Sequence, residues 1–441
     1  MSQELGLRSA LLPDKATISP EGELYIAGHS VVALAQQYGT PLYVFDRATI
    51  VAACQQYQQM FQLHYSASPI KFAYASKAYL APRLVQLIHE QGMSLDVVSG
   101  GELLVAQRAE FPMQEIFFHG NNKSEEELRL ALRLGVGRIV LDNWYELERL
   151  TKIAHEVGIR PQVLVRIAPE VMADTHRYLQ TGHAAAKFGF GLSNGEAQAA
   201  LLRIVRDDQL DLHGLHAHTG TMLRETRPFT ETLERLLQLA YEVQQETGWW
   251  PDEVSPGGGW GIATLEEAQP GLETLAMAFQ QTMLTMTQQF ALPAPTLTLE
   301  PGRSIVARAG IAIYRIGGQK ITPGGVQYLF IDGGMADNIR PALYGAQYTA
   351  LPVTALHEDF DQEFRIAGRY CESGDIQIEN VTLPTWSRYD LLCLPTSGAY
   401  CLPMASNYNL VPRPAVLLVD ENEIYVMERR ETYDDLLVRY L

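Results

Sequence analysis

Hydrophobic residues between about 40 and 303 gather into short β-rich runs, and longer amphipathic stretches separate these runs. Such alternation is typical of parallel strands joined by helical crossovers. Eight runs indicate a closed barrel, because eight parallel strands with intervening helices form one. The predicted strands are residues 70–75, 93–98, 115–118, 138–141, 162–167, 212–218, 253–256 and 296–300.

Two helices of this region also have sequence signals at their starts. Ser124 precedes Glu127 by three residues, and Asn143 precedes Glu146 by the same interval, each ahead of an apolar run. This spacing predicts capping boxes, in which the first side chain accepts from the helix backbone and the acidic side chain bonds back.

After residue 304 the pattern changes to β-rich segments separated by Gly, Pro, Asn and Asp, without long amphipathic stretches. We therefore predict an α/β fold with an eight-stranded parallel βα barrel over 41–303 and an all-β, barrel-like C-terminal domain over 304–441. Residues 1–40 contain a possible strand at 23–26, and we expect this segment to join the β domain.

Composition narrows the class of protein. The chain has 441 residues, 47% hydrophobic and 19% charged, as in ordinary soluble globular proteins. Its net charge of −17 disfavours nucleic acid and anionic membranes as partners, because both require basic surfaces. No secretory signal and no apolar stretch of about 20 residues are found, so a cytoplasmic location is expected. Four scattered cysteines without CxxC spacing indicate neither disulfides nor a zinc site.

The active site of such a barrel lies at the carboxyl ends of its strands. Lys77 follows the first strand, and it is either a solvated lysine or an amine that forms a Schiff base with a cofactor. Asp96 ends the second strand and Arg166 the fifth, with a helix cap and a structural ion pair as the respective alternatives. His216 and His218 lie near the end of the sixth strand, where either core packing or function is expected.

A phosphate site is indicated after strands seven and eight. Gly257, Gly258 and Gly259 follow the seventh strand, and their backbone N–H groups can cradle an anion, although a simple turn is common. Glu300 ends the eighth strand and Arg303 follows it. Because barrels frequently bind phosphate with these two loops, the combination favours a phosphorylated cofactor.

The C-terminal half adds two further candidates. Arg340 and Tyr344 are suited to holding a carboxylate, which an arginine can bind with two hydrogen bonds, although both residues suit an ordinary surface as well. Cys371, beside Glu372 in a polar, Gly-rich segment, suits a reactive thiol better than a core thiol.

These residues lie in motifs that follow one another along nearly the whole chain: YASKA, DVVSGGE, HGNNKS, GLHAHTGTM, SPGGGWGI, EPGRS, RPALYG, CESGD and GAYCLPMASNYN. In this ordered set the chain resembles the fold-type III pyridoxal-phosphate-dependent decarboxylases, and among them the diaminopimelate decarboxylase family. The resemblance implies pyridoxal 5'-phosphate as the cofactor. It also implies that meso-2,6-diaminopimelate is decarboxylated to L-lysine and CO2, the last step of lysine biosynthesis.

The same resemblance implies roles in the cofactor site. Lys77 would carry the cofactor as a Schiff base, His218 would stack on its pyridine ring, and Glu300 would pair with the ring nitrogen. A carboxylate in that place keeps the nitrogen protonated, which suits decarboxylation. The further cofactor-binding residues implied are Asp96, Arg166, Thr221, Gly257, Gly258, Gly259, Gly302, Arg303 and Tyr400.

For the substrate, the resemblance implies contacts with Arg303, Arg340, Tyr344, Glu372 and Tyr400. In the family the CESGD loop enters the site of the opposite protomer, so Cys371 and Glu372 are expected to act across a homodimer interface. Either Lys77 or Cys371 would return a proton to the substrate's α-carbon, and the sequence leaves both possibilities open.

Departures from the family pattern bear on the substrate. The segment Thr219-Gly220-Thr221-Met222 replaces the usual Ile-Gly-Ser-Gln, Ser255-Pro256 replaces an acidic-apolar pair, and Cys401-Leu402-Pro403 follows Tyr400 in the last motif. A decarboxylase of ornithine, lysine, arginine or carboxynorspermidine is therefore a rival. Glu372 favours diaminopimelate, because relatives that act on simple diamine precursors commonly have Asp there.

Two more distant functions are alternatives that the sequence disfavours. An amino-acid racemase is expected to have arginine and tyrosine where this chain has Glu300 and Cys371. A non-catalytic cofactor-binding protein built on the barrel alone would not need the C-terminal motifs.

Overall fold

The computed structural model describes residues 6, 8–171 and 187–440. The chain divides into two compact units. The barrel unit consists of Cys54–Ile262 and Gln269–Gly302, and the β unit of Met1–Ala53, Ala263–Ala268 and Arg303–Leu441. No helix within the described ranges has the length and apolarity needed to cross a membrane.

The barrel unit contains the predicted closed barrel. Its parallel strands pair in sequence order, and pairing of the first strand with the eighth closes the ring. The eight strands, at positions close to those predicted, are Ile70–Ala75, Ser94–Val97, Ile116–Phe118, Arg138–Leu141, Gln162–Ala168, Asp211–Ala217, Glu253–Gly257 and Thr296–Leu299. A short strand, Phe190–Gly191, pairs with the carboxyl end of the fifth. The interior is filled by side chains such as Ala73, Phe117, Val140 and Leu164, which form one buried cluster.

Helices follow the strands as a parallel sheet requires. Ser124 forms the predicted capping box with Glu127. Asn143 accepts the backbone N–H of Glu146, but the Glu146 side chain accepts from the backbone of Asp142 instead of bonding back, so the second prediction was half right. The helices are Arg47–His64, which crosses the boundary between units, Pro82–Glu90, Gly100–Arg108, Glu125–Leu134, Trp144–Val157, Glu196–Val205, Arg227–Thr247 and Leu272–Phe290, with 3-10 turns Ser76–Ala78 and Met113–Glu115.

The β unit contains a three-stranded sheet and a larger mixed sheet. The strands of the first are Ala16–Ile18, Leu24–Ile26 and His29–Ser30. Those of the second are Leu42–Asp46, Gly310–Ile321, Gln327–Ile331, Leu351–Pro352, Gln362–Ala367, Ile376–Leu383, Leu391–Leu394, Ala415–Val419 and Ile424–Glu428. The unit also holds the short helices Val31–Tyr38, Arg303–Val306, Arg340–Tyr344 and Tyr433–Leu437 and the 3-10 turns Trp386–Arg388, Leu402–Met404 and Tyr408–Leu410.

The start of the barrel unit differs from the predicted boundary at residue 41. Strand Leu42–Asp46 pairs antiparallel with Gly310–Ile321 and parallel with Ala415–Val419, which places it in the middle of the larger β sheet. Leu24 and Ile26 are fully buried in the core of the same unit. The N-terminal segment therefore packs with the β unit, as expected, and that association extends to residue 53.

Candidate active site

Lys77 lies at the carboxyl end of the first barrel strand. The strand ends at Ala75 and a 3-10 turn, Ser76–Ala78, exposes Lys77 between two buried neighbours. The N–H of Ala75 donates to the carbonyl of Pro301 at 3.0 Å, which fixes this turn to the segment after the eighth strand. The amine is thereby delivered to the barrel mouth, where active sites of this fold lie.

Glu300 is the most fully bonded acid of the mouth. Its carboxylate lies 3.1 Å from His216 Nε2, accepts the Ser255 hydroxyl at 3.0 Å, and lies 3.5 Å from His119 Nε2. Burial by itself raises the pKa of the Glu300 carboxyl, but the two imidazoles and the charge of Lys77 hold that pKa well below its usual range. Glu300 is therefore a buried anion at neutral pH.

Asp96 has the opposite electrostatic character. Burial raises the pKa of its carboxyl to about 8, an effect that Lys77 opposes and Glu300 reinforces. His119 Nε2 lies 3.7 Å from its Oδ1. Two carboxyl groups of one mouth therefore have pKa values on opposite sides of neutrality, which is a frequent property of catalytic sites.

His218 lies one residue beyond the end of the sixth strand. Its Nδ1 is 3.3 Å from the backbone N of Gly258, from which it accepts a hydrogen bond. Burial lowers the pKa of His218 well below its usual value, and the charges of Lys77 and Arg166 act in the same direction. The imidazole is therefore neutral, as an acceptor at Nδ1 requires.

The glycines after strand seven allow close backbone packing. A Cβ on Gly258 would lie 1.8 Å from the carbonyl oxygen of Glu300, and one on Gly259 would lie 2.0 Å from that of Gly220. Gly257 and Gly259 also have φ values of +84° and +109°. Thr221 lies in the turn that Gly259 approaches. A Cβ on Gly302, after strand eight, would lie 2.9 Å from Ala75 Cβ.

Arg166 has two partners at the mouth. Its Nε lies 3.8 Å from the Asp142 carboxylate, and its guanidinium lies 4.3 Å from the ring centroid of Phe188. The structural ion pair weighed from the sequence is therefore present, and it places the guanidinium among the mouth residues whose pKa values it influences, including Asp96 and His218.

The mouth leaves buried polar atoms without hydrogen-bond partners among the described residues. They are Ser76 Oγ, both carboxylate oxygens of Asp96, His119 Nε2 and His216 Nδ1. Unmet buried donors and acceptors are costly and are normally satisfied by water or a ligand. Together with the lysine and the ionised Glu300, they fit a polar, ring-containing cofactor.

A second set of polar residues lies in the β unit. The Arg303 guanidinium lies 4.6 Å from the ring centroid of Tyr400, and Arg340 Nη1 donates to Tyr348 Oη at 2.7 Å. Tyr348 Oη lies 3.4 Å from Cys401 Sγ. Both arginines have a buried Nε without a hydrogen-bond partner, and no carboxylate among the described residues forms an ion pair with either.

The remaining predicted residues of the β unit are more accessible. Tyr344 is partly buried at the end of the helix that Arg340 begins. Cys371 and Glu372 are exposed, and the backbone N–H of Cys371 donates to Asn409 Oδ1 at 3.0 Å. None of these three side chains is enclosed by the unit that carries it.

Sequence reasoning missed several residues that the structure brings to these two sets. His119 directly follows the third strand, so its position at a strand's carboxyl end was an available signal. Ser255 was noted only as a departure from the family pattern, although it donates to Glu300. Cys401 was noted only as part of the last motif, and Tyr348 carries no local signal, because only tertiary packing brings them to Arg340.

An eight-stranded parallel barrel with a lysine, an ionised glutamate and neutral histidine at the carboxyl ends of its strands is the arrangement of a barrel enzyme. Residues 47–307 match the family described as pyridoxal-dependent decarboxylase, pyridoxal binding domain. The chain belongs to the pyridoxal-dependent decarboxylases, and specifically to the diaminopimelate decarboxylase family. It is a carboxy-lyase that uses pyridoxal 5'-phosphate.

Relatives of known name match nearly the whole chain. The diaminopimelate decarboxylase of Bacillus subtilis is 41% identical and 94% of each chain is covered. That of Synechocystis is 38% identical over 97% of this chain and 92% of its own. The crystal structure of diaminopimelate decarboxylase from M. jannaschii has a TM-score of 0.90 and 32% identity, covering 97% and 98% of the two chains.

Proposed function

We propose that this chain decarboxylates meso-2,6-diaminopimelate to L-lysine and CO2. Relatives named diaminopimelate decarboxylase support the substrate, and a structure of the M. jannaschii enzyme in complex with L-lysine supports the product. The likeness to a lysine/ornithine decarboxylase of Vibrio vulnificus, at 20% identity, concerns the fold alone.

The observation that carries this substrate is a pair of arginines in the β unit, each with a buried Nε. Arg303 is 9% exposed, and its Nε and that of Arg340 are buried without partners. Burying a cation without a counter-charge is costly. A substrate with a second carboxylate supplies that charge, whereas ornithine and lysine, once the reacting carboxylate is set aside, do not.

The barrel residues hold the cofactor in this proposal. Lys77 Nζ would bond it, His218 would stack on its ring, and the Glu300 carboxylate would pair with the ring nitrogen. Pyridoxal phosphate supplies an electron sink for the bond that breaks. The anionic state of Glu300 supports this role, because only an ionised carboxylate keeps the paired nitrogen protonated.

Further residues would complete the cofactor site. We assign the phosphate to the backbone of Gly257, Gly258 and Gly259, with Thr221, Gly302, Arg303 and Tyr400, and we assign Asp96 and Arg166 to the surroundings of the ring. The glycine backbone is sterically able to approach an anion closely. Arg303 and Tyr400 are assigned to the substrate as well.

Substrate contacts complete the proposal. Arg340 and Tyr344 would bind the far carboxylate, and Glu372 would bind the far amino group. When CO2 leaves, the α-carbon retains the bonding electron pair, and Lys77 Nζ or Cys371 Sγ would deliver the proton that completes the product. The exposure of Cys371 and Glu372 in a single chain supports their proposed action across a homodimer interface.

A substrate panel tests the proposal. The purified protein should convert meso-diaminopimelate to L-lysine, identified by mass, and should turn over ornithine, lysine, arginine and carboxynorspermidine poorly. Arg340→Ala should lower kcat/KM for diaminopimelate about 100-fold or more, because a charge-assisted bidentate contact is lost. The matched control is Arg365→Ala, in the same unit, whose side chain pairs with Glu379 at 2.9 Å. Faster turnover of any other amino acid on the panel would overturn the proposed substrate.

A further inference from the structure

Tyr348 joins Arg340 to Cys401 in a buried chain of polar contacts. Arg340 Nη1 donates to Tyr348 Oη at 2.7 Å, and Tyr348 Oη lies 3.4 Å from Cys401 Sγ. Tyr348 is 8% exposed and Cys401 is fully buried. The tyrosine oxygen accepts from the guanidinium, and the Cys401 thiol can donate to the carbonyl of Ala399 at 3.8 Å. The tyrosine proton is then available to the sulfur, which favours a direction from arginine to tyrosine to cysteine.

This chain leaves one edge of the Arg340 guanidinium available. Nη1 is engaged by Tyr348, whereas Nε is buried and has no hydrogen-bond partner among the described residues. In a guanidinium, Nε–H and one Nη2–H point the same way and together match the two oxygens of a carboxylate. The contact with Tyr348 therefore does not use the Nε–Nη2 edge, which is the edge that can bind a carboxylate through two hydrogen bonds.

The backbone supports the same orientation. Arg340 is the first residue of the helix Arg340–Tyr344, and its N–H lies 3.4 Å from the side-chain oxygen of Asn338. A side chain that is fixed at its base and at Nη1 loses little further conformational freedom when a ligand binds. Such preorganisation strengthens binding without any direct contact between Tyr348 and the ligand.

We propose that Tyr348 is a positioning residue that orients Arg340 and thereby sets the preference for substrates with a second carboxylate. This inference rests on the proposed function. It assigns specificity to a residue outside the motifs by which the sequence resembles its family. Tyr348 touches the guanidinium and not the reacting atoms, so its loss should weaken binding and leave the chemical step intact.

Tyr348→Phe removes the accepting oxygen and keeps the ring. We expect KM for meso-diaminopimelate to rise about tenfold while kcat changes less than about twofold. L-Lysine and cadaverine, which differ by one carboxylate, provide a readout independent of turnover. As competitive inhibitors, L-lysine should bind about tenfold more weakly to the variant, and cadaverine should bind as before.

Tyr389→Phe is the matched control. Tyr389 is a buried tyrosine of the same unit whose hydroxyl donates to the carbonyl of Pro384 at 3.2 Å. It should leave KM and both inhibition constants unchanged. Cys401→Ala, which removes the acceptor beyond Tyr348, is a second variant and should weaken L-lysine binding about two- to threefold.

A double-mutant comparison separates the two proposals. In an Arg340→Ala background, Tyr348→Phe should have no further effect on KM or on L-lysine inhibition, because its action passes through the guanidinium. If Arg340→Ala lowers affinity and Tyr348→Phe does not, the positioning role is wrong and the proposed function stands. If Arg340→Ala itself leaves L-lysine binding unchanged, the proposed carboxylate site is wrong.

Discussion

The two ends of the barrel both bury charge, but they treat it differently. At the amino-terminal end, the floor, Arg138 Nε lies 3.1 Å from Glu253 and Arg138 Nη2 lies 2.8 Å from His213 Nε2. Arg138 also donates to Gln162, and Thr298 donates to Glu253. None of these five residues has a buried polar atom without a hydrogen-bond partner.

At the carboxyl-terminal end, the mouth, the same strands hold charges that the protein does not fully satisfy. Asp96 has two buried oxygens without hydrogen bonds, and His119 and His216 each have one such nitrogen. The charge of Lys77 acts on Asp96 and Glu300 together. The floor is thus complete without a ligand, whereas the mouth is not.

The floor therefore serves stability and the mouth serves function, although both belong to one ring of strands. Groups satisfied by the protein stabilise the fold, and groups left unsatisfied provide binding free energy to a ligand at the expense of stability. Substitutions at the floor should therefore lower stability and spare turnover of the folded protein. Substitutions at the mouth should lower turnover even where the protein stays folded.

Lys77→Ala should produce the largest effect. Removing the amine that bonds the cofactor should reduce kcat about 10³-fold or more and leave the thermal midpoint within a few degrees. Borohydride reduction followed by peptide mass analysis should locate the cofactor on Lys77 in the unsubstituted protein. Lys71→Ala, in the strand that Lys77 follows, is the control and should retain activity. Trapping of the cofactor on another lysine would refute the assignment.

A matched pair of glutamates tests the comparison directly. Glu300→Gln at the mouth should reduce kcat about 10²- to 10³-fold, because a neutral amide cannot hold the ring nitrogen protonated. It should also lower stability, because the depressed pKa of Glu300 shows that the folded state favours the ionised carboxylate. Glu253→Gln at the floor should lower the free energy of unfolding by about 3 kcal/mol, because Arg138 loses its counter-charge.

The measurements for this pair are urea unfolding and kcat normalised to folded protein. Glu253→Gln should keep kcat within about twofold, since the floor touches no reacting group. Equal losses of kcat in both variants would abolish the distinction between floor and mouth.

The barrel was predictable from sequence because its evidence is local. Each strand is a short apolar run before a helix, and a reactive residue at a strand's end needs no long-range information to be placed at the mouth. This reasoning found Lys77, Asp96 and Glu300. The structure brings them together, and their chemical roles are proposed.

The β unit was less predictable for the opposite reason. Strand Leu42–Asp46 precedes the barrel in sequence, but its partners lie more than 260 residues away at 310–313 and 415–419. No local pattern encodes such pairing. The hydrogen bond between Arg340 and Tyr348 likewise depends on a loop conformation, so only the structure reveals it.

Asp96→Asn should reveal how much stability the protein loses by burying the Asp96 carboxyl without hydrogen bonds. The pKa of Asp96 is raised from 3.8 to about 8 in the folded state, so between these values the unfolded chain releases a proton that the folded chain retains. Stability therefore falls as pH rises through this window. The variant lacks this titration. Between pH 5 and pH 8, the free energy of unfolding of the variant should rise by on the order of 3 kcal/mol relative to that of the unsubstituted, cofactor-depleted protein. A pH-independent difference in urea unfolding would show that Asp96 is not a buried neutral acid.

The smallest effect is expected at the floor, from His213. Burial, followed by the charge of Arg138, lowers the pKa of this imidazole below its usual 6.5. As pH falls through 6.5, the unfolded chain binds a proton that the folded chain excludes. The contribution of His213 to stability is therefore fully present above this pH. Below it, the contribution is lost progressively until the pH reaches the pKa of the folded state. His213→Gln retains an oxygen that can accept from Arg138 Nη2 and removes the titration. Between pH 7.5 and pH 5.5 the variant should lose about 1 kcal/mol less stability than the unsubstituted protein, with kcat unchanged.

Asp96→Asn alters the pH dependence in the opposite sense, because an acid with a raised pKa destabilises at high pH and a histidine with a lowered pKa destabilises at low pH. Identical pH dependence of unfolding in the His213→Gln and unsubstituted proteins would exclude His213 as the acid-sensitive group of the floor.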